Sequence, residues 1–567
     1  MTHRRIFVLA VLAGLAVRWA HLSFIRDHPF YRLLEVWPDS DMYQFAAWAK
    51  HLASGDWLDA ETFRPFFSWQ EGIATREVWN SWFGAHVYYQ PPLYPYLAAA
   101  VLAATGSLDT LRLGQAALGA LNCGLAAVLA SRLYGAAAGW LAGAAAALYA
   151  PFILYDAELL RGTVVITTQL LLLSALARGH EGRAHPGWSR SALVAGLSFG
   201  ISYLADPVIV VFLPLALGWI WWSATMGGVK GAALASRAAV GLKAPALFLA
   251  GAAMALAPLA ARNIAVGAPL LSSTTRGPLA FVMGNAPDAN PAGAFIPQST
   301  GAILHRSGYG MGSTISETLR LYQGDYAALR AKQWSKLEAL WGAYEIPDNP
   351  SFYYAARVSP AVAYGLRFLP VAALGLVGLA VSIRPALRDP AMALVPLHLL
   401  ACNLIFLLAH VVSRYRQPMA MALVLLAGRA VAVAIGGGRV AGFGVPAAAV
   451  ALLFCLPWAP PAGYAYDRRT EYVLSAELFA QRGQIERAAA EINDLIGRAR
   501  AEPQLDHDVP GLLYKLGTMQ AAAYRHEDAV ASFRAALQED PQYGEAAEAL
   551  AASEAALQRR GSRPEAP

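Results

Sequence analysis

The sequence contains little charge and almost no cysteine. Only 14% of its 567 residues are Asp, Glu, Lys or Arg, and three are cysteine. Soluble globular domains carry roughly 25% charged residues, so this deficit excludes an ordinary cytosolic enzyme and a disordered chain. The cysteines (Cys123, Cys402 and Cys455) each lie in an apolar stretch without metal-like spacing, which excludes a disulfide scaffold and predicts small buried residues.

Long apolar runs occur in place of charge, since 57% of the residues are hydrophobic. A membrane-spanning helix needs roughly 20 such residues. The first run follows Arg4 and Arg5, which places the N-terminus in the cytoplasm. Arg18 and His21 interrupt this run and no clear cleavage site follows, which favours an uncleaved anchor over a signal peptide. The eleven predicted spans are residues 6–25, 111–131, 136–153, 163–177, 191–205, 208–223, 244–261, 361–382, 391–412, 418–435 and 441–459.

The distribution of basic residues supports this count and sets the orientation. The apolar stretch 92–106 is short and begins at Pro91-Pro92, so we predict an interfacial or partly inserted helix there. With eleven crossings every short inside loop is basic, as the positive-inside bias requires. Those residues are Arg132, Arg178, Arg183, Arg190, Lys230, Arg237, Lys243, Arg384, Arg388 and Arg439. The net charge of +6 thus reports orientation and indicates no nucleic-acid partner. The C-terminus is predicted to lie outside.

Two long segments fall on the outer side. Residues 26–91 are acidic and contain six tryptophans, a composition typical of helices lying along a membrane surface. Residues 262–360 are richer in Gly, Pro and Asn. Because about one hundred residues exceed the length of a passive connector, we expect a small folded element there.

The composition changes after Pro460-Pro461, where the chain becomes charged, alanine-rich and helical in pattern. Residues 510–541 resemble a tetratricopeptide repeat, and 469–500 resemble one less closely, with an inserted loop near 501–509. A generic pair of helical hairpins is the alternative. We predict a membrane domain over 1–460, an α-solenoid over 467–558 and a disordered end over 559–567. The matching positions are Ala476, Gly483, Ala488, Ile492, Leu495, Leu513, Leu516, Gly517, Ala529, Phe533, Ala536 and Pro541.

The first outer segment opens with two carboxylates, Asp39 and Asp41, ahead of a helical pattern. A carboxylate at the mouth of a membrane cavity can act as a general base, because burial raises its pKa toward a useful value. The alternative is structural: Asp39, Ser40 or Asp41 would cap the helix that begins there.

Four short motifs resemble polytopic glycosyltransferases of the GT-C class, and most closely the family 39 branch of protein O-mannosyltransferases and aminoarabinose transferases. The resemblance covers about 1–460 and implies an all-α transmembrane bundle. In order, the motifs are Asp39-Ser40-Asp41-Met42-Tyr43, Tyr89-Gln90-Pro91-Pro92-Leu93-Tyr94-Pro95, Arg262-Asn263 with Gly284-Asn285-Ala286-Pro287, and Ser413-Arg414-Tyr415-Arg416-Gln417-Pro418.

The resemblance also implies the roles of particular residues. It makes Asp39 the base, with Asp41 as a second candidate. Guanidinium groups suit phosphate oxygens, so Arg414 and Arg416, and less strongly Arg262, are candidates to bind the donor phosphate. Their alternative role is anchoring at the interface or neutralising the acidic loop. The first-loop aromatics, with Tyr43 and Tyr89 in the motifs, are expected to contact the sugar.

The second outer loop contains two further candidates, Asp156 and Glu158. Relatives often carry an acid where this chain has Gly162. Either carboxylate would serve as a second acid, a substrate clamp or a metal ligand, or would instead pair with Arg161. Dependence on a divalent metal is therefore left open.

The predicted function is inverting transfer of a sugar from a polyprenyl-phosphate donor to a lipid, glycan or protein acceptor. The predicted location is the outer face of a bacterial inner membrane, with the tail in the periplasm and available to a protein partner. The rival prediction is a non-catalytic scaffold, or a glycolipid transporter or ligase, in envelope glycan assembly.

Overall fold

The structure is a computed structural model, and it describes residues 2–181, 187–226, 234–436, 469–501 and 508–561. Within these ranges the chain forms helices and no strand. Two isolated backbone bridges, Tyr149–Leu366 and Ala292–Val411, are the extended-chain pairings within these ranges. The predicted all-α class is confirmed.

The helices fall into two groups along the chain. The first group is α1 (Thr2–Ile25), α2 (Phe30–Leu33), α3 (Asp41–Ala53), α4 (Ser68–Glu71), α5 (Arg76–Phe83), α6 (Leu93–Thr105), α7 (Leu108–Tyr134), α8 (Ala136–Leu148), α9 (Ala150–Asp156), α10 (Gly162–Glu181), α11 (Gly187–Ala205), α12 (Leu213–Met226) and α13 (Leu234–Val266). The second group is α14 (Gly277–Asn285), α15 (Thr300–Ser307), α16 (Met311–Arg320), α17 (Tyr326–Trp341), α18 (Phe352–Val358), α19 (Pro360–Ala363), α20 (Phe368–Ala386), α21 (Pro390–Leu404), α22 (Gln417–Ile435), α23 (Arg469–Gln481), α24 (Ile485–Ala501), α25 (Val509–Ala522), α26 (His526–Glu539) and α27 (Gly544–Gly561). Turns of 3₁₀ helix occupy Pro207–Phe212, Ile405–Leu407 and Ser413–Arg416.

Eight helices in the described part of the chain are long and apolar enough to cross a membrane. They are α1, α7, α10, α12 with its preceding turn, α13, α20, α21 with its following turn, and α22 with its preceding turn. Each coincides with a predicted span, so the polytopic class is confirmed. The predicted span 441–459, with Cys455, lies outside the described residues, and α11 covers the predicted span 191–205.

The predicted span 136–153 is not one continuous helix. Helix α8 ends at Leu148, Tyr149 is extended, and α9 then begins with Pro151 in its first turn. The backbone groups at this break pair with Leu366, which donates its N–H to the Leu148 carbonyl and accepts from the Ala150 N–H. Proline has no N–H to continue a helix ladder. Like α6, α8 has 13 residues, or roughly 20 Å of helix.

The chain divides into two compact units. The described part of the first unit comprises residues 2–23, 38–352 and 359–436, with the gaps noted above. Its helices pack through small residues that allow the backbones to approach closely. A Cβ atom added at Gly196 of α11 would lie 1.9 Å from the Phe248 carbonyl oxygen of α13. One added at Gly378 of α20 would lie 1.9 Å from the Leu426 carbonyl oxygen of α22.

The second unit contains the tail helices α23 to α27 together with Phe24–Trp37 and Tyr353–Val358. Helices α25 and α26 are antiparallel, since Gly517 faces Phe533 while Gln520 accepts a hydrogen bond from Ser532. The segments Phe24–Trp37 and Tyr353–Val358 pack on the hairpin of α23 and α24. For example, the Tyr354 hydroxyl donates a hydrogen bond to Ser475 Oγ (2.7 Å). The apolar repeat positions predicted in α23 to α26 are buried, whereas the tetratricopeptide assignment stays a prediction.

The contact between Gly517 and Phe533 gives a test of the tail packing. A Cβ at Gly517 would lie 2.5 Å from the Phe533 ring, and overpacking of this kind costs about 1–3 kcal/mol. We therefore expect Gly517→Ala in the full-length protein to speed hydrogen–deuterium exchange of peptides from residues 508–561. The matched control is Gly497→Ala on the exposed face of α24, where a Cβ meets nothing within 4 Å. Unchanged exchange in Gly517→Ala would contradict this helix pairing.

Candidate active site

Helix α3 begins in a way that separates the two predicted carboxylates. Ser40 is the N-cap, and its hydroxyl accepts from the Tyr43 N–H (3.0 Å). Of the three residues considered for capping (Asp39, Ser40 and Asp41), Ser40 is the one that caps the helix. Asp39 precedes the cap and is exposed, whereas Asp41 is the first helical residue and is partly buried.

Asp41 lines a cavity of about 210 Å³ in the first unit. Its charged lining residues come from the ends of helices and from the loops beside them. They are Asp41, Arg161, Asp206, Arg276 and Arg414. Apolar lining residues come from the spanning helices and the turns attached to them, and include Val165, Val208, Phe212, Ala401 and Ile405. Gln169 also lines the cavity seven residues into α10, which is about 10 Å along the helix axis from Gly162. The cavity therefore joins a charged end, at Asp41 and the arginines, to a largely apolar part along the spanning helices.

Four side chains donate to the Asp41 carboxylate. Oδ2 accepts from Arg414 Nη1 (2.7 Å) and Asn349 Nδ2 (3.2 Å). Oδ1 accepts from Gln90 Nε2 (2.8 Å) and Arg276 Nη1 (3.4 Å). The Asp41 N–H in turn donates to Asn349 Oδ1 (2.6 Å). Both the carboxylate and the backbone of Asp41 are thus fixed in place.

The charges around Asp41 determine its protonation state. Burial by itself raises the pKa of this carboxyl, but the positive charges of Arg414 and Arg276 and the Arg414 hydrogen bond outweigh burial. The pKa of Asp41 is consequently held well below its usual range. Asp41 is therefore a carboxylate, which is the protonation state of a general base. Its lowered pKa is the reverse of the rise expected from burial, and it makes Asp41 a weak base while both arginines bind it.

Sequence reasoning missed several residues of this constellation. Arg276 precedes α14 and binds Asp41, while Asp348 accepts from Arg414 Nη2 (2.7 Å). Asn349 completes the arrangement from the same loop. The available signal was weak: Asp348 and Asn349 lie between two prolines, and Arg276 is a basic residue in an outer loop. Only the folded chain brings these positions to Asp41.

A second charge pair lines the same cavity. Arg161, directly before α10, lies 3.6 Å from Asp206, which caps the turn Pro207–Phe212. The sequence suggested that Asp156 or Glu158 would pair with Arg161. In the structure Arg161 pairs instead with Asp206, a residue for which the sequence indicated no role.

Arg416 and Arg262 lie outside the cavity lining. Arg416 is buried and donates to Glu345 Oε2 (2.6 Å) and to the Gly342 carbonyl (2.6 Å). Arg262 donates to the carbonyls of Leu58 (3.1 Å) and Asp59 (2.6 Å) in the first outer loop. Both guanidinium groups are thus occupied by structural contacts. Of the three arginines expected to bind phosphate, Arg414 is the one that lines the cavity.

Asp156 and Glu158 are also outside the cavity lining, and both are buried. Arg18 of α1 pairs with Asp156 (2.6 Å), and Thr163 donates to the same carboxylate (2.6 Å). The arginine that interrupts the first span is therefore neutralised by Asp156. The Glu158 carbonyl accepts from Gln115.

The two motif tyrosines differ in position. Tyr89 is buried beside the site, with the Arg276 guanidinium 5.4 Å from its ring centroid. Tyr43 is half-buried in the first turn of α3. Neither is a lining residue of the cavity, although the neighbouring Gln90 and Pro91 of the second motif are.

One group of described side chains has metal-ligand chemistry: His51, Asp56 and Asp59, whose ligand atoms lie within 4.8 Å of one another. The Asp59 carboxylate already accepts from Trp48 Nε1 (3.2 Å) and from the Phe63 N–H (3.2 Å). These residues do not line the cavity, and Asp156 and Glu158 are not part of the group.

Comparison with known proteins gives similarity at the level of structure alone. No family model and no curated protein matches the sequence. An oligosaccharyltransferase of Archaeoglobus fulgidus, solved with Zn and sulfate, aligns with 80% of the chain at 13% identity and a TM-score of 0.41. AglB of the same organism, solved with an inhibitory peptide and a dolichol-phosphate, aligns with 93% at 13% identity and a TM-score of 0.42. The chain spans 52% and 59% of those two chains.

The buried Arg416–Glu345 pair gives a prediction about stability. Removing one partner leaves an uncompensated buried charge, which costs about 3–5 kcal/mol. We expect Arg416→Gln to lower the thermal unfolding midpoint of the detergent-solubilised protein, followed by tryptophan fluorescence. The double variant Arg416→Gln, Glu345→Gln should lose less, and the exposed control Arg388→Gln should match the wild type. If Arg416→Gln kept full stability, the structural assignment of this arginine would be wrong.

Proposed function

We propose that this protein is a membrane glycosyltransferase of the GT-C class that uses a polyprenyl-phosphate sugar as donor. The observation that carries the proposal is a single cavity that joins Asp41 and three arginines to an apolar interior built from spanning helices. A lipid-linked phosphate has the matching chemistry, since its head group is anionic and its chain is apolar.

In this proposal the three arginines of the cavity lining bind the phosphate of the donor. Arg161, Arg276 and Arg414 all line the cavity, and guanidinium groups form charge-assisted, often bidentate hydrogen bonds with phosphate oxygens. The same groups stabilise the negative charge that develops on a departing phosphate. The polyprenyl chain would lie along the apolar lining residues contributed by α10, by the turn Pro207–Phe212 and by α21 with the turn that follows it.

Asp41 is the general base in this proposal. The acceptor hydroxyl or amine attacks the anomeric carbon of the donor sugar and forms the new glycosidic bond. The bond between that carbon and the phosphate oxygen breaks, and the electron pair leaves with the polyprenyl phosphate. The acceptor proton passes to the Asp41 carboxylate. Attack from the side opposite the leaving group inverts the configuration at the sugar carbon.

The choice of Asp41 over Asp39 follows from position. Asp41 lines the cavity among the arginines, whereas Asp39 is exposed and lies outside the lining. Tyr43 lies with Asp41 in the first turn of α3, and Tyr89 is buried with the Arg276 guanidinium over its ring. Among the described residues, the groups positioned to act on the phosphate are the three arginines.

The tail has a separate proposed role. A groove in the second unit is lined by residues of α23, α24 and α25 and by the loops that follow α23 and α25. Exposed polar groups flank it, including Arg525 paired with Glu486. We place this unit in the periplasm, in agreement with the predicted topology, where its groove would hold a peptide segment of an acceptor or assembly partner.

The two aspartates give the decisive test. General-base catalysis typically contributes about 10²–10⁴-fold, so Asp41→Asn is expected to reduce glycosyl transfer by at least about 100-fold. Asp39→Asn is the matched control, two residues away in the same loop, and should retain wild-type transfer. Mass spectrometry of glycolipids, glycans and glycoproteins from a deletion strain, complemented with each variant, measures the outcome.

Two results would count against the proposal. Full transfer by Asp41→Asn with loss in Asp39→Asn would return the base to Asp39. An unchanged set of glycoconjugates in the deletion strain would contradict the proposed transfer, because deleting an enzyme of this class must remove its sugar product.

A further inference from the structure

The Asp41 carboxylate is fully occupied by donors. A carboxylate has about four acceptor sites, and Arg414, Asn349, Gln90 and Arg276 each donate to it. A base must offer a free lone pair to the proton that it accepts. Asp41 therefore has the right charge for a base but no free acceptor site, and one of its donors must leave before it can act.

The donors differ in how firmly they are held. Asn349 is tied twice to Asp41, through the backbone N–H and the carboxylate. Arg276 is 28% exposed and makes the longest contact, at 3.4 Å. Arg414 divides its charge between Asp41 and Asp348, both at 2.7 Å. The two arginines line the cavity, so an anion that enters it attracts these two donors.

Arg414 also has one hydrogen-bond donor that is not used. Its Nε atom is buried and has no hydrogen-bond partner among the described residues. A buried guanidinium N–H without a partner costs free energy, and a phosphate oxygen in the cavity would satisfy it. Asp348 keeps hold of Arg414 Nη2, so the guanidinium can shift toward the phosphate without losing its anchor.

We infer that the donor's phosphate competes with Asp41 for Arg414 and Arg276, so that Asp41 is released as a base only when the donor occupies the cavity. This inference rests on the proposed function and adds an order to it: donor first, then acceptor. In this scheme Asp348 is a positioning residue. It acts through Arg414 by limiting how tightly that arginine holds Asp41.

The test is the protonation midpoint of Asp41, followed by the infrared carboxyl band of the full-length protein in lipid. Asp41→Asn spectra, recorded under the same conditions, identify the band and remove the titration of the added phosphate. The probe is polyprenyl phosphate at saturating, separately measured binding. Opposite charges close to an aspartate lower its pKa by about 1–3 units. We therefore expect the probe to raise the midpoint by about 1–3 pH units.

The surroundings of Asp41 define what else can titrate. Arg161, Arg276 and Arg414 stay charged throughout. Burial raises the pKa of Tyr89 and lowers that of His410 to about 3. Tyr89 therefore stays neutral over the low pH range in which Asp41 titrates, and the titration of His410 is distinguished from that of Asp41 because an imidazole has no carboxyl band. Asp348 is the other carboxyl of the cluster and is assigned separately through Asp348→Asn.

Variants separate exchange of arginines from a simple charge effect. In Arg414→Gln the free protein should already show a raised midpoint, and the probe should add little to it. In Asp348→Asn, Arg414 no longer pairs with a second carboxylate and stabilises the Asp41 carboxylate more strongly. The Asp41 midpoint of the probe-free protein should therefore fall, while the rise caused by the probe should persist. Asp39→Asn should behave like the wild type.

The failures are distinguishable. If polyprenyl phosphate does not bind, the proposed function is overturned. If it binds and the Asp41 midpoint stays unchanged or falls, the competition is overturned while the proposed function stands. An undiminished rise in a variant lacking both Arg414 and Arg276 would show that the phosphate acts by its charge alone, and would also overturn the competition.

Discussion

The bridge from Asp41 through Arg414 to Asp348 is the interaction on which the site depends. It joins α3, the start of the last described span and the outer segment 262–360, which are far apart in sequence. Removing charges from water is costly, and attraction offsets this cost only when geometry is good and the remaining hydrogen bonds are made. Asn349 and Gln90 make those bonds. The ionic cluster therefore fixes the loops against the helix ends and shapes the cavity mouth.

Sequence patterns predicted the polytopic all-α class and two of the motifs that contribute to the cavity lining, because both depend on local features. Apolar length indicates spans, and the Asp39–Tyr43 and Ser413–Pro418 motifs indicate where charge meets the membrane. Which residue of each motif belongs to the site, by contrast, does not depend on local sequence. Arg414 and Arg416 are two residues apart on one 3₁₀ turn, yet one meets Asp41 and the other Glu345. Which guanidinium faces the cavity depends on partners in the outer segment 262–360, namely Asp348 and Glu345.

The same limit explains the carboxylates of the second loop. Asp156 was a candidate site residue because relatives often carry an acid in this loop, and Arg18 looked like an interruption of the first span. They neutralise each other at 2.6 Å, which accounts for both features. Arg276 and Asp348 were missed for the converse reason: each is an ordinary charge in a loop until the fold places it beside Asp41 or Arg414. A single sequence contains the charges but not the pairing between them.

The pairing itself bears on how the cavity treats a ligand. Each lining arginine already has a carboxylate: Arg161 has Asp206, while Arg276 and Arg414 share Asp41, with Asp348 behind Arg414. A cavity balanced in this way costs less to maintain beside a bilayer than one with three unpaired cations. An anionic head group then gains affinity only by displacing a carboxylate of the protein itself. At Arg161 such an exchange would free an aspartate with no assigned role, whereas at Arg414 and Arg276 it would free the proposed base.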